Sequence, residues 1–157
     1  VFRFKAIGEV CNVANLVPPY ETDGKYHGVS AALEFAVLNI RVKHIVVMGH
    51  SGCGGVRACI EHDATRQTEA EFIANWMSML DAARDRIIGE KPAQSPTDLR
   101  INLEREGVKV SLANLRTFPC VQILEGKGRL ALHGAYFDIS TGQLTVLNEA
   151  TGDFVPL

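Results

Sequence analysis

The apolar and polar positions in the first third of the chain predict a strand, a helix and a second strand. Residues 2–13 mix alternating and continuous apolar positions and predict a strand that ends at residues 15–19, where two prolines require an extended backbone. Apolar residues at helical spacing follow Ser30, a suitable N-cap, and predict a helix to about Ile40. Residues 44–49 form a continuous, mainly β-branched run, which is typical of a strand buried on both faces in a parallel sheet.

The rest of the chain predicts helices followed by two strands. A helix begins near Val56, a second follows an apolar stripe from Phe72 to Ile87, and a third extends from Asp98, a suitable cap, to about Arg116. The stripe is expected in the core or at a dimer interface. Two strands, 130–137 and 143–147, are joined by a turn at 138–142. This order of elements is that of an α/β protein, and we expect a single domain over residues 1–157.

Composition excludes several classes of protein. The 157 residues are 46% hydrophobic and 22% charged, which argues against intrinsic disorder. Sixteen basic and eighteen acidic residues give a net charge of −2, so no general basic field favours nucleic acid as a partner. The sequence contains no apolar run long enough to cross a bilayer and no export signal, so we expect no membrane association and a cytoplasmic location.

The candidate chemistry lies in the turn after the 44–49 strand. His50 and Cys53 stand three positions apart there, and ligands bind at the carboxyl ends of strands in open α/β sheets. Imidazole nitrogen and thiolate sulfur are ligands that zinc prefers, so the pair is a candidate metal site. The flanking glycines leave room for a small ligand, and Gly54 is the candidate substrate-binding residue. A structural pair without metal is the alternative.

The remaining donors are weaker candidates. His133 precedes a glycine in a predicted strand, and we expect it to be a satisfied sheet or core histidine. Cys59 and Cys120 are expected to be buried, inert thiols. His27 is expected in a surface loop. Cys11 is the first residue to consider if a substitute metal ligand is needed, although strand alternation need not direct it towards His50.

Four segments of the sequence resemble one known family. Residues 47–56, Val-Met-Gly-His-Ser-Gly-Cys-Gly-Gly-Val, are similar to the second zinc-ligand motif of the beta-class carbonic anhydrases. Residues 12–20, Asn-Val-Ala-Asn-Leu-Val-Pro-Pro-Tyr, resemble another conserved stretch of that family in the same order. The helix at 30–37 and Leu-His-Gly-Ala-Tyr at 132–136 also match in order and spacing, so the resemblance covers essentially the whole chain.

The resemblance implies a fold and an activity. The family has a mostly parallel central sheet flanked by helices and is usually assembled from dimers, so a homodimer or higher homo-oligomer is implied. It implies Zn²⁺ as cofactor, with His50 and Cys53 as ligands. The implied reaction is the reversible hydration of CO₂ to bicarbonate and a proton by zinc-bound hydroxide, with CO₂ and bicarbonate as the small-molecule partners.

The sequence departs from the family in one respect. The family's first motif, Cys-x-Asp-x-Arg, supplies a third zinc ligand and an Asp–Arg pair, and it occurs nowhere in these 157 residues. We therefore expect a domain that is incomplete at its amino terminus, without the first central strand and with its catalytic residues unknown. Two alternatives stay open: a catalytically silent remnant that serves as a dimerising scaffold, or a COS or CS₂ hydrolase on the same fold.

Overall fold

A computed structural model describes residues 8–23, 27–61 and 71–157 of the chain. These residues form helices on one face of a small sheet. The α-helices of the described residues are α1 Gly28–Glu34, α2 Gly54–Ile60, α3 Glu71–Met77, α4 Asp81–Glu90, α5 Pro96–Leu115 and α6 Pro119–Gly126. Shorter helical turns cover Val13–Asn15, Phe35–Ile40 and Ser78–Leu80, the second of them π-helical.

The sheet has strand order β1-β2-β3-β4, with β1 His44–His50, β2 Ala131–Asp138, β3 Gln143–Asn148 and β4 Asp153–Pro156. β1 and β2 are parallel, and the pairs β2–β3 and β3–β4 are antiparallel. The α/β class expected from the sequence is therefore confirmed, whereas the described sheet is mixed. The physical reason is that short turns join β2 to β3 and β3 to β4, and a short turn can connect only antiparallel strands.

Helix α5 packs against one face of the sheet and sets the position of β1. A Cβ atom added to Gly49 would lie 2.9 Å from Val108 Cγ2, and one added to Gly134 would lie 3.0 Å from Val108 Cγ1. Glycine in both strands therefore allows the helix to approach the sheet closely. The expectation that β1 is buried on both faces is wrong for the described structure: the face opposite α5 exposes apolar side chains, including Val46 at 58% and Met48 at 57% of their surface, because no described helix covers it.

Helix α5 begins at a well-formed N-cap and buries one side through a regular stripe of side chains. Ser95, not Asp98, is the N-cap: its hydroxyl accepts the backbone N–H of Asp98, and Pro96 occupies the first turn. Residues at spacings of three and four on this helix are buried in two clusters. Leu103 packs with α2, α3 and α4, whereas Val108, Leu112 and Leu115 pack with β1, β2 and α6.

Three predicted elements differ in detail from the structure. Residues 2–7 of the predicted first strand lie outside the described residues, and residues 8–13 are not a strand: residues 8–12 have no regular structure, and a helical turn begins at Val13. The helix near Ser30 begins at Gly28 and ends in the π-helical turn. The stripe from Phe72 to Ile87 is divided into α3, a 3-10 turn and α4, and Phe72 itself is exposed.

The segment before α1 is fastened to α5 by hydrogen bonds. The Ser111 hydroxyl donates to the Asn15 carbonyl at 2.9 Å and accepts the backbone N–H of Val17 at 3.2 Å. The Asn114 amide donates to the Val17 carbonyl at 2.8 Å. Ala14 and Asn15 both have left-handed backbones, with φ of 61° and 50°. This segment therefore has a fixed course beside β1. No helix in the described parts of the chain is both long and apolar enough to span a bilayer.

Candidate metal centre

His50 is the last residue of β1, and its exposed imidazole stands at the carboxyl end of the strand. Its Nδ1 atom lies 3.0 Å from the carbonyl oxygen of Ser51. Because a carbonyl oxygen can only accept a hydrogen bond, Nδ1 must carry the proton in this contact. The tautomer so fixed leaves the lone pair on Nε2, which is the atom available to a metal ion.

The turn that follows His50 is held to β2. The Ser51 backbone N–H donates to the Phe137 carbonyl at 2.9 Å, and the Ser51 hydroxyl donates to Asp138 Oδ1 at 3.1 Å. Gly52 then adopts a φ of +73°, a left-handed conformation that favours glycine. Hydrogen bonds from the Ser140 hydroxyl and backbone N–H lower the pKa of Asp138 to about 2. A charged carboxylate therefore anchors this turn at neutral pH.

Cys53 lies directly after the turn, at the N-cap of α2, and its side chain is buried. Its backbone N–H donates to Oε1 of Glu104 on α5 at 2.9 Å. Glu104 is only 2% exposed, which is rare for an unpaired carboxylate and requires hydrogen-bond partners. The Cys53 backbone is thus fixed by a side chain from a helix that lies far away in the sequence.

Glu104 also connects this turn to β2. Its second oxygen, Oε2, accepts the Tyr136 hydroxyl at 2.7 Å, and Arg100 Nε lies 3.6 Å from Oε1. Burial, together with the hydrogen bond to Glu104, raises the pKa of Tyr136 well above its usual range. The guanidinium of Arg105 lies over the Tyr136 ring at 5.0 Å from the ring centre. The buried carboxylate therefore has two short hydrogen bonds and a nearby cation.

His50 and Cys53 are donors of the types that zinc prefers, but two protein ligands are too few for a catalytic zinc site. One imidazole nitrogen and one thiol sulfur are suitable ligands, and catalytic zinc sites usually have three protein ligands. Within residues 8–23, 27–61 and 71–157, no group of three or more His, Cys, Asp or Glu side chains is placed to hold a metal ion. Cys11, the first residue to consider as a substitute ligand, does not complete a site: it is exposed, and its Sγ lies 3.3 Å from Glu9.

The glycines beside Cys53 have different surroundings. A Cβ added to Gly55 would lie 2.7 Å from Val13 Cγ1, so glycine is required for α2 to pack against the Val13–Asn15 turn. A Cβ added to Gly54 would meet no heavy atom of the described structure within 4 Å. Open space next to Cys53 is compatible with a small ligand there, and the substrate-binding role of Gly54 stays a prediction.

The other donors singled out in the sequence lie away from this turn. His133 is half-buried in β2, and its Nε2 is 3.0 Å from Nδ1 of His44 on β1, so it is a satisfied sheet histidine as predicted. Cys59 is buried, and burial raises its pKa. Burial likewise raises the pKa of Cys120. Thiols with raised pKa values carry little thiolate at neutral pH, which agrees with the predicted inert role.

Sequence reasoning missed the carboxylates that hold the turn. Glu104 is followed by Arg105 and Glu106, and such a run of charged residues is typical of a solvated helix face. A signal was nevertheless present, because Glu104 stands four residues before the buried Val108 and seven before the buried Ser111. An acidic residue that continues a buried stripe is a candidate for a buried, hydrogen-bonded role.

Comparison with known sequences gives a consistent result. A family profile described as carbonic anhydrase matches residues 6–144. The chain is 40% identical over 134 residues to beta carbonic anhydrase 3 of Arabidopsis thaliana, an alignment that covers 85% of this chain and 52% of the plant protein. The chain therefore spans about half the length of this curated relative.

Comparison with solved structures agrees in fold. The beta-carbonic anhydrase CcaA matches with a TM-score of 0.85 at 27% identity, over 93% of this chain and 64% of that one. A tetrameric beta-carbonic anhydrase of the fungus Sordaria macrospora matches with a TM-score of 0.75 at 28% identity, over 87% of this chain and 66% of that one.

Proposed function

The chain belongs to the beta-class carbonic anhydrase family, and on this premise we propose that His50 and Cys53 are two zinc ligands of a site for the reversible hydration of CO₂. The observation that carries the proposal is the turn itself. An imidazole with a free Nε2 at the carboxyl end of β1 is followed three residues later by a thiol whose backbone position is fixed. Small molecules, CO₂ and bicarbonate, are the proposed partners at this end of the strand.

The residues around the turn have holding and orienting roles in this proposal. When bound, zinc supplies Lewis acidity, which provides a nucleophile from water at neutral pH. The Ser51 carbonyl keeps the proton of His50 on Nδ1, so that Nε2 can act as a ligand. Glu104 fixes the Cys53 backbone, and the Ser51 bond to Asp138 fixes the turn between the two ligands.

A third ligand and the family's Asp–Arg pair have no counterpart in these 157 residues. Two protein ligands hold zinc weakly and leave its geometry loose. A second candidate function therefore has an observation in its favour: the 157-residue chain is a weak metal-binding scaffold with little hydration activity. The lack of a three-residue donor group within the described residues supports this alternative.

Stopped-flow CO₂ hydration with added zinc tests the two functions. The 157-residue chain should be poorly active, and the same chain joined to an upstream segment that contains Cys-x-Asp-x-Arg should be active. A fusion with Ala in place of the motif's Cys is the matched control and should stay inactive. Full turnover by the 157-residue chain would show that a different residue completes the site, and an inactive fusion would favour the scaffold.

We also propose that the chain forms a homodimer or a higher homo-oligomer. The support is the apolar sheet face opposite α5, where Val46, Met48, Phe137 and Val155 are exposed in the described structure. A contiguous exposed apolar face is unusual in a soluble monomer and marks interaction surfaces. The Sordaria macrospora relative is a tetramer by its description, which is consistent with self-association in this fold.

A further inference from the structure

A cleft lies at the opposite end of β1 from His50. It has a volume of about 600 Å³ and opens where the π-helical turn leads into β1 and where α6 leads into β2. We call it the basal cleft; its lining includes Arg41, Lys43, His44, Leu124, Arg129 and Leu130. Its volume is within the range of clefts that hold small molecules.

The rim of the basal cleft is cationic. Arg41, Lys43 and Arg129 line it with their charged side chains exposed, and none of the three has an ion-pair partner among the described residues. No acidic residue is among those that line the cleft in the described structure. The sequence shows the same segregation, because residues 35–60 and 126–137 contain no Asp or Glu in a chain whose net charge is −2. This concentration of positive charge favours an anion.

The floor of the basal cleft is apolar. Leu130 is buried and Leu124 is half-buried, and both belong to the core cluster shared by α5 and the sheet. The His44 ring forms part of the wall and is held in place by its contact with His133. A cationic rim over an apolar floor matches a ligand that has an anionic group and an apolar body.

We propose that the basal cleft binds a small organic anion, a phosphate or carboxylate group attached to an aromatic or aliphatic body. The rim cations contact the anionic group and the leucines contact the apolar body. The cleft is about 20 Å from His50, since His44 and His50 are six positions apart on β1 and each step along a strand rises about 3.3 Å. The proposal is therefore independent of the zinc site, and either can fail without the other.

Isothermal titration and backbone NMR of the zinc-free chain test the proposal with four probes. Phenyl phosphate and benzoate should bind saturably at low salt, phenyl phosphate more tightly because of its larger charge. Inorganic phosphate should bind about tenfold more weakly than phenyl phosphate, because it cannot bury apolar surface, and uncharged phenol should not bind. Shift changes should centre on residues 41–44 and 128–131.

Two variants and a control locate the site. Arg129→Gln should weaken phenyl phosphate binding by about threefold, a typical loss for one exposed charge contact. Arg41→Asn should have a similar effect and keep the fold, because Arg41 has a left-handed φ of 60°, which asparagine tolerates. Lys91→Gln removes the same charge from an exposed position at the end of α4 and should leave binding unchanged.

Four results would overturn the proposal. Shift changes centred on residues 50–54 would assign the anion to the metal turn. Equal losses of phenyl phosphate affinity in Arg129→Gln and Lys91→Gln would indicate only a general effect of net charge. Equal binding of phosphate and phenyl phosphate would remove the role of the apolar floor. An affinity that falls as protein concentration rises would show that a second copy of the chain covers the cleft.

Discussion

Glu104 accepts the backbone N–H of Cys53 at 2.9 Å, although the two residues are 51 positions apart in the sequence. The carboxylate is almost fully buried and has Tyr136 on its other oxygen. The position of Cys53 therefore depends on a helix and a strand that come much later in the chain. A buried acid with this arrangement acts as a positioning residue for the proposed metal turn.

Replacement of Glu104 by Ala should destabilise the fold. It would leave the Cys53 N–H and the Tyr136 hydroxyl buried without partners, and each such group costs about 1–3 kcal/mol. We expect a loss of about 3 kcal/mol in the free energy of unfolding, measured by urea denaturation. Glu104→Gln should lose less, because an amide can still pair with both groups.

Glu106→Ala is the matched control for this prediction. Glu106 lies on the same helix and pairs with Arg86 and Lys109 near the surface, where ion pairs contribute less than about 1 kcal/mol. If Glu104→Ala lowers the free energy of unfolding no more than Glu106→Ala does, the hydrogen bonds of Glu104 do not hold the turn.

Zinc affinity should depend on His50 and Cys53 and not on His133 or Cys59. Loss of a residue that hydrogen-bonds to a metal ligand typically lowers metal affinity by about 10- to 100-fold. Loss of a ligand itself should lower it at least as much. We expect His50→Ala and Cys53→Ala each to weaken zinc binding by more than about tenfold in competition with a chromophoric chelator. His133→Ala and Cys59→Ala remove the same donor types elsewhere and should have no effect. Equal affinities in all four variants would exclude the assignment.

Asp138 should contribute stability that is lost at acidic pH. Its pKa of about 2 in the folded chain lies below the value of about 3.9 for an unfolded aspartate. The contribution is therefore complete above about pH 5 and disappears as the pH falls from about 4 to 2. The difference in urea midpoint between the wild type and Asp138→Asn should follow this course. A difference that persists unchanged at pH 2 would contradict it.

Self-association should depend on the apolar sheet face. Light scattering of the wild type across a concentration range should give at least twice the monomer mass. Met48→Glu places a charge on this face and should shift the equilibrium towards monomer, because an interface core does not tolerate an unpaired charge. Leu157→Glu adds the same charge at an exposed chain end and should have no effect. A wild-type monomer at all concentrations would refute the proposal.

Local sequence pattern predicted the elements that carry strong local signals. The β-branched run at 44–49 and the strands on either side of the turn at Gly142 are present close to their predicted bounds. The cap of α5 was misassigned to Asp98, because Ser95 and Asp98 occupy the two ends of one capping arrangement, with the Ser95 hydroxyl also donating to Asp98. Strand β4 was missed, since four residues that end in Pro156 give almost no pattern.

The proposed site was predictable only in part. Its two donors stand in one short motif, so spacing and the family resemblance were enough to identify them. Their supports, Glu104, Tyr136 and Asp138, come from α5 and β2, and their contacts exist only after the chain has folded. The spacing along α5 marks Glu104 as a candidate for burial, but a sequence pattern does not show which distant groups such a residue will bond.

The parallel pairing of β1 with β2 has a consequence for synthesis on the ribosome. Tyr136 follows Cys53 by 83 positions, so at about 5–20 residues per second it is added about 4–17 s later. Throughout that interval the His50–Cys53 motif has been translated without the strand that anchors it. The imidazole and thiol of a nascent chain therefore lack this support at first, and firm binding of zinc at the proposed site would require β2 to be translated and released from the exit tunnel.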